Sequence, residues 1–130
     1  MYVLCLIMSV ELYVCMYLHQ QAKNGDQKNE DRLDMWRQRW DNSNTGWHKT
    51  EVNPHLIKFF DYLTNGKDKI KILFPLSGKC IDLVHCYKMG HTVYGIEGVP
   101  LAVEEMFRQG GLEFSRTFCQ DIDGFIYKVS

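Results

Sequence analysis

The stretch from Ile70 to Glu97 constrains the fold of this chain more than any other. It reads Ile70-Lys71-Ile72-Leu73-Phe74-Pro75-Leu76, then a Ser77-Gly78-Lys79 turn, then Ile81, Leu83, Val84 and Tyr87 at helical spacing, then a stop at Gly90 and a second apolar run, His91 to Glu97. An apolar run too short for a helix and bounded by turn residues predicts a buried strand. A strand, turn, helix and strand in under thirty residues is the repeat of a parallel sheet with a right-handed crossover. The fold class is therefore α/β with a mostly parallel sheet, and helices are expected on both faces.

The flanking sequence extends this unit. Leu33, Trp36 and Trp40 recur at helical spacing, with Asp31 near the start and Arg37 and Arg39 near the end, as the helix dipole favours. Asp41 to Gly46 forms a loop. Asn53-Pro54 starts a second helix, with Asn as cap and Pro at the first helical position; Leu56, Phe59, Phe60 and Leu63 are its expected apolar face, and Asn65-Gly66 its end. Beyond Glu97, Pro100 opens a helix with Val103, Met106 and Phe107 inward, closed by Gly110-Gly111, and Leu112 to Phe118 and Phe125 to Val129 look extended.

At the other end, Met1 to Leu18 is apolar except for Ser9 and Glu11. It has no basic n-region, carries a carboxylate mid-segment and barely reaches the roughly 17 residues of a spanning helix, so an atypical leader is favoured over the alternative of an anchor or signal. Residues 1–28 are read as an atypical apolar leader and polar linker, and 29–130 as the N-terminal part of one domain. Fifteen Lys and Arg stand against 16 Asp and Glu, a formal net charge of -1, which offers no field to draw nucleic acid or anionic lipid. Five cysteines with no CxxC spacing argue against zinc and disulfide frameworks and suggest reduced thiols in the cytoplasm.

Ligands of open parallel sheets bind beyond the carboxyl ends of the strands. Two features fall there. Leu76-Ser77-Gly78-Lys79 leads from strand to helix, where Gly78 permits close backbone approach and the helix start offers N–H groups. Glu97 ends the second strand, where a carboxylate can accept hydrogen bonds from ribose hydroxyls or simply be a solvated strand end. A single glycine does not make the GxGxxG turn of a pyrophosphate site, so a cofactor with a ribose and no diphosphate fits better than a dinucleotide. S-adenosyl-L-methionine is the common one. Trp36, Trp40 and Trp47 form a second constellation, whose faces can attract a sulfonium. Trp40 is equally suited to packing its helix onto the sheet, whereas Trp47 lies among polar neighbours beside His48.

In order and spacing, Asp34-Met35-Trp36-Arg37-Gln38-Arg39-Trp40, Thr45-Gly46-Trp47-His48, Phe74-Pro75-Leu76-Ser77-Gly78-Lys79 and Gly90-His91-Thr92-Val93-Tyr94-Gly95-Ile96-Glu97 resemble thiopurine S-methyltransferases, from about Asn29 onward. The resemblance implies a Rossmann-like class I methyltransferase fold in a cytoplasmic, monomeric enzyme that moves a methyl group from S-adenosyl-L-methionine to aromatic and heterocyclic thiols. It implies that Trp36, Trp40, Trp47, Leu76 and Glu97 contact the cofactor and that Trp47 also faces the small-molecule thiol. His48 matches a family histidine with no role assigned here. Ser77 stands where the family usually has cysteine.

The family pattern continues past this sequence, which on this reading is truncated after the second parallel strand. In the family's order the first strand lies between the second and a fourth strand. Ile70 to Leu76 is then expected to present a bare edge. A truncated, catalytically inactive fragment with at most residual cofactor or partner binding is the alternative expectation.

Overall fold

The computed structural model describes residues 12–17 and 27–130, with side chains from Arg32 onward. The leader and linker reading falls largely outside these residues. Within it, however, Leu12–Tyr17 forms strand β1, and helix α1 (Gln27–Asp41) begins just before residue 29. There follow α2 (Pro54–Thr64), β2 (Lys71–Pro75), α3 (Ile81–Lys88), β3 (Thr92–Glu97), α4 (Pro100–Gly110), β4 (Phe114–Cys119) and β5 (Gly124–Val129). The elements expected from periodicity are all present. A single 3-10 turn, Gln120–Ile122, joins β4 to β5.

Five strands make one sheet in the order β2-β3-β1-β5-β4. β2 pairs parallel with β3, aligning Lys71 with Thr92 and Pro75 with Ile96. β1 pairs parallel with β3, aligning Leu12 with Val93 and Met16 with Glu97, and antiparallel with β5. β4 and β5 form an antiparallel hairpin. The sheet is therefore mixed, with three adjacent parallel strands. β2 has one described neighbour, so it is the bare edge expected of Ile70 to Leu76, and Leu73 on it is 58% exposed.

Local chemistry accounts for the helix ends. The Asn53 side chain accepts the His55 N–H at 2.9 Å, Pro54 opens α2, and Asn65 closes it in the left-handed region at φ 52°. The buried face of α2 differs from the periodic expectation. Phe60 enters the core and Leu56 packs against it, but Phe59 and Leu63 are exposed, as is Tyr62 at 90%. A four-residue apolar stripe is wider than the line of contact available at the sheet edge, so only its inner half is covered.

The main core joins Phe60, Leu83, Val84, Cys86, Val93, Val103, Met106, Phe107 and Tyr127, with Ile72 and Phe74 packed against it. Side chains alternate across a strand, so Ile72, Phe74, Val93 and Tyr127 define one face of the sheet. α2, α3 and α4 lie on that face, and α1 packs onto α4 through Trp40 and Leu33 against Val99, Ala102 and Leu101. Helices were expected on both faces, yet the described ones share one. The β2-to-β3 and β3-to-β4 crossovers advance along the sheet in the same direction, and right-handed crossovers that do so lay their helices, α3 and α4, on the same side. The β1-to-β2 connection runs the other way along the sheet, yet α2 within it packs on the same face through Phe60, so crossover direction does not account for its placement.

Candidate functional site

The loop after β2 is built around two left-handed residues. Leu76 has φ 51° and Gly78 φ 52°. β2 thus ends at Pro75, one residue earlier than the apolar run suggested, and the turn throws the Leu76 side chain into solvent at 85% exposure. A non-glycine residue in this region costs of order 1–2 kcal/mol, and such strain clusters at ligand sites. The Ser77 N–H donates to the Ile96 carbonyl at 2.9 Å, tying the loop to the end of β3.

Glu97 completes the tie. Its Oε2 accepts the Gly78 N–H at 2.6 Å, and its Oε1 accepts the Gly98 and Val99 N–H groups at 2.8 and 3.0 Å. The sequence suggested that loop N–H groups and carboxylate would both await a ligand. In the structure they satisfy each other. A carboxylate has about four acceptor positions, so after three bonds one remains on Oε2.

The three tryptophans converge as the spacing suggested, but unequally. Trp36 and Trp47 meet edge to face at 5.5 Å, Trp40 and Trp47 at 6.5 Å. Trp40 is buried at 4% exposure in the contact between α1 and α4, so its packing role is real; Trp47 is 41% exposed. Their cationic neighbours come from the chain itself. The Arg39 guanidinium lies 5.1 Å from the Trp36 ring and 5.8 Å from that of Trp47, and Lys79 Nζ lies 5.4 Å from Trp40 while pairing with Glu105 at 3.1 Å. Sequence reading missed both cations. Arg39, three residues after Trp36 on one helical face, carried a visible signal; Lys79 reaches Trp40 only through the tertiary fold.

His48 joins the two constellations. Its ring lies 5.0 Å from Trp40 and 5.6 Å from Trp47, and its backbone N–H is fixed by the Thr45 carbonyl at 3.1 Å. Burial, then the charge of Lys79, holds its pKa below the ordinary 6.5, against a smaller opposing pull from Glu105. Both effects favour the neutral imidazole. Its Nε2 and the Ser77 Oγ are buried without a hydrogen-bond partner among the described residues. A groove of about 510 Å³ runs beside them, lined by Trp47, His48, Ser77, Lys79, Cys80 and Asp82 among others.

This chemistry fits a nucleoside sulfonium: an acceptor position on Glu97, an exposed aliphatic surface at Leu76, and aromatic faces at Trp36 and Trp47. No helix among the described residues is long and apolar enough to cross a membrane.

Comparison with known proteins agrees with the motif resemblance. The family model described as thiopurine S-methyltransferase matches residues 31–127. A thiopurine S-methyltransferase of Methylococcus capsulatus is 42% identical over 79 residues, covering 61% of this chain and 35% of that protein. A probable thiopurine S-methyltransferase of Danio rerio is 34% identical over 92 residues, 71% of this chain and 40% of the relative. The thiopurine S-methyltransferase of Bos taurus is 30% identical over 99 residues, 75% and 40% respectively. The chain thus spans well under half the length of these relatives.

Proposed function

The chain belongs to the thiopurine S-methyltransferase family, an enzyme family, and on that premise we propose that residues 29–130 form the cofactor-binding part of a cytoplasmic S-methyltransferase. Its fold is the Rossmann-like class I methyltransferase fold, its methyl donor S-adenosyl-L-methionine and its acceptors aromatic and heterocyclic thiols. The complete enzyme acts as a monomer. The observation that carries the reading is the meeting of the Glu97 carboxylate, the strained Leu76–Gly78 loop and the tryptophan cluster at the carboxyl ends of two parallel strands.

Bound S-adenosyl-L-methionine supplies an electrophilic methyl carbon on a positively charged sulfur. What these residues contribute is orientation. Glu97 offers its remaining acceptor position to a ribose hydroxyl, and holds the Gly78 loop in the shape that leaves Leu76 facing the ligand. Trp36 and Trp47 turn aromatic surface toward a cation, so Arg39 must yield part of that surface when a sulfonium arrives. The exposed part of the Trp47 ring holds a flat thiol against the cofactor side, which favours in-line approach and excludes water. Nothing in this arrangement calls for a covalent intermediate.

One observation favours a second reading, a non-catalytic chain with residual ligand or partner binding: the Glu97 carboxylate is already engaged by three backbone N–H groups. Calorimetric titration with S-adenosylhomocysteine separates the two. Micromolar binding that Glu97→Ala abolishes supports the cofactor site. Absence of binding to the unaltered chain favours the non-catalytic reading.

A further inference from the structure

The side of Gly78 where any other residue would carry a Cβ is filled by an imidazole. An ideal Cβ built there falls 2.7 Å from His48 Cε1, 3.2 Å from His48 Nε2 and 3.6 Å from Trp40 Cζ2. The first distance is shorter than real Cβ contacts allow, so His48 can seat only because position 78 is glycine. The φ of 52° makes the same demand independently. His48 touches both Trp40 and Trp47, while the other side of the Gly78 peptide is held by Glu97 at 2.6 Å. One unbroken line of contacts therefore runs from the exposed indole through the imidazole to the loop and on to the end of β3.

We propose that His48 is a positioning residue: a wedge that seats in the missing side chain of Gly78 and makes the tryptophan cluster and the Gly78 loop move as one body. The neutral imidazole suits the task, since a charged ring pressed against the loop beside the Lys79 ammonium would be repelled. The functional consequence rests on the methyltransferase reading; the mechanical coupling does not. Loop geometry at Gly78 sets where Trp47 stands, and so sets the gap between cofactor and acceptor.

The test uses the fact that the chain's only three tryptophans are all in this cluster. Emission maximum and acrylamide quenching are measured in folded protein, without ligand, for the unaltered chain, Gly78→Ala, His48→Ala and the double variant. In the unaltered background Gly78→Ala expels the imidazole, and quenching rises by about twofold or more, whereas the same change in the His48→Ala background has little effect, because non-additivity marks residues in contact. Equal effects in both backgrounds overturn the proposal. Should Gly78→Ala fail to fold, His48→Ala and His48→Phe decide. A flat ring restores the quenching and emission of the unaltered chain if His48 acts as a wedge, and equal behaviour of the two variants overturns it. A role in general stability alone would lower the melting temperature without moving these folded-state signals. If the unaltered chain does not bind S-adenosylhomocysteine, the methyltransferase reading fails while the fluorescence cycle still decides the wedge.

Discussion

Glu97 and Gly78, nineteen residues apart in sequence, are joined by a 2.6 Å hydrogen bond from the glycine N–H to carboxylate Oε2, which clamps the loop after β2 onto the end of β3.

Removing the clamp should cost stability as well as affinity. Glu97→Ala leaves three N–H groups without their acceptor, and is expected to destabilise the fold by about 1–3 kcal/mol in denaturant titration. Glu97→Gln keeps one carbonyl oxygen and should lose roughly half as much. Equal losses in the two variants would mean that the acceptor oxygens contribute nothing to the clamp.

Tyr127 offers the opposite case. Its ring is fully buried beside Phe107 and Phe114, yet its Oη has no hydrogen-bond partner among the described residues. Tyr127→Phe keeps the ring and removes a desolvated hydroxyl, so we expect an increase in stability of about 1 kcal/mol. A lower melting temperature in the variant would show that the hydroxyl is satisfied.

Cys86 is fully buried, and burial first, with the charge of Asp82 and the neighbouring Cys80 adding to it, pushes its pKa from 9.0 up to about 11. The thiol should resist iodoacetamide near neutral pH until the protein unfolds. The unfolded chain loses this proton at lower pH than the folded one, so the stability due to Cys86 is intact below 9.0 and is lost as pH rises toward 11. Thermal melts across that interval should fall less steeply for Cys86→Ala than for the unaltered chain.

The sign reverses for His48, whose pKa is lowered by burial and by Lys79. As pH falls below 6.5 the unfolded chain takes up this proton before the folded one, and stability declines. Melting temperatures compared at about pH 7.5 and about pH 5.5 should drop further for the unaltered chain than for His48→Phe, which has no proton to gain. Parallel drops would remove His48 from the acid response.

Local signals carried much of this architecture. The Asn53 cap, the Pro54 and Pro100 helix starts and the two apolar runs around Ser77-Gly78-Lys79 all act within a few residues, and each appears where its chemistry places it. The chain's family was legible too, through motifs extending from Asp34 to Glu97. Long-range placement was not. The shared face of α3 and α4 follows from the direction in which their crossovers travel, a property of strand order with no trace in periodicity. The convergence of Trp36, Trp40 and Trp47 followed from their spacing. Their self-supplied cations and the His48–Gly78 contact needed the tertiary fold, since Lys79 and Gly78 come from another element altogether.

The position of β1 bears on how the protein is made. Tyr13 aligns with Tyr94 on one side and with Lys128 on the other, so the middle of the sheet unites segments far apart in sequence. A ribosome releases Leu12–Tyr17 long before either neighbour exists. The sheet can close only after β5 has emerged, and a topology with such distant pairings folds slowly. Until then that strand travels with its backbone unpaired, the interval in which a chaperone has most to do.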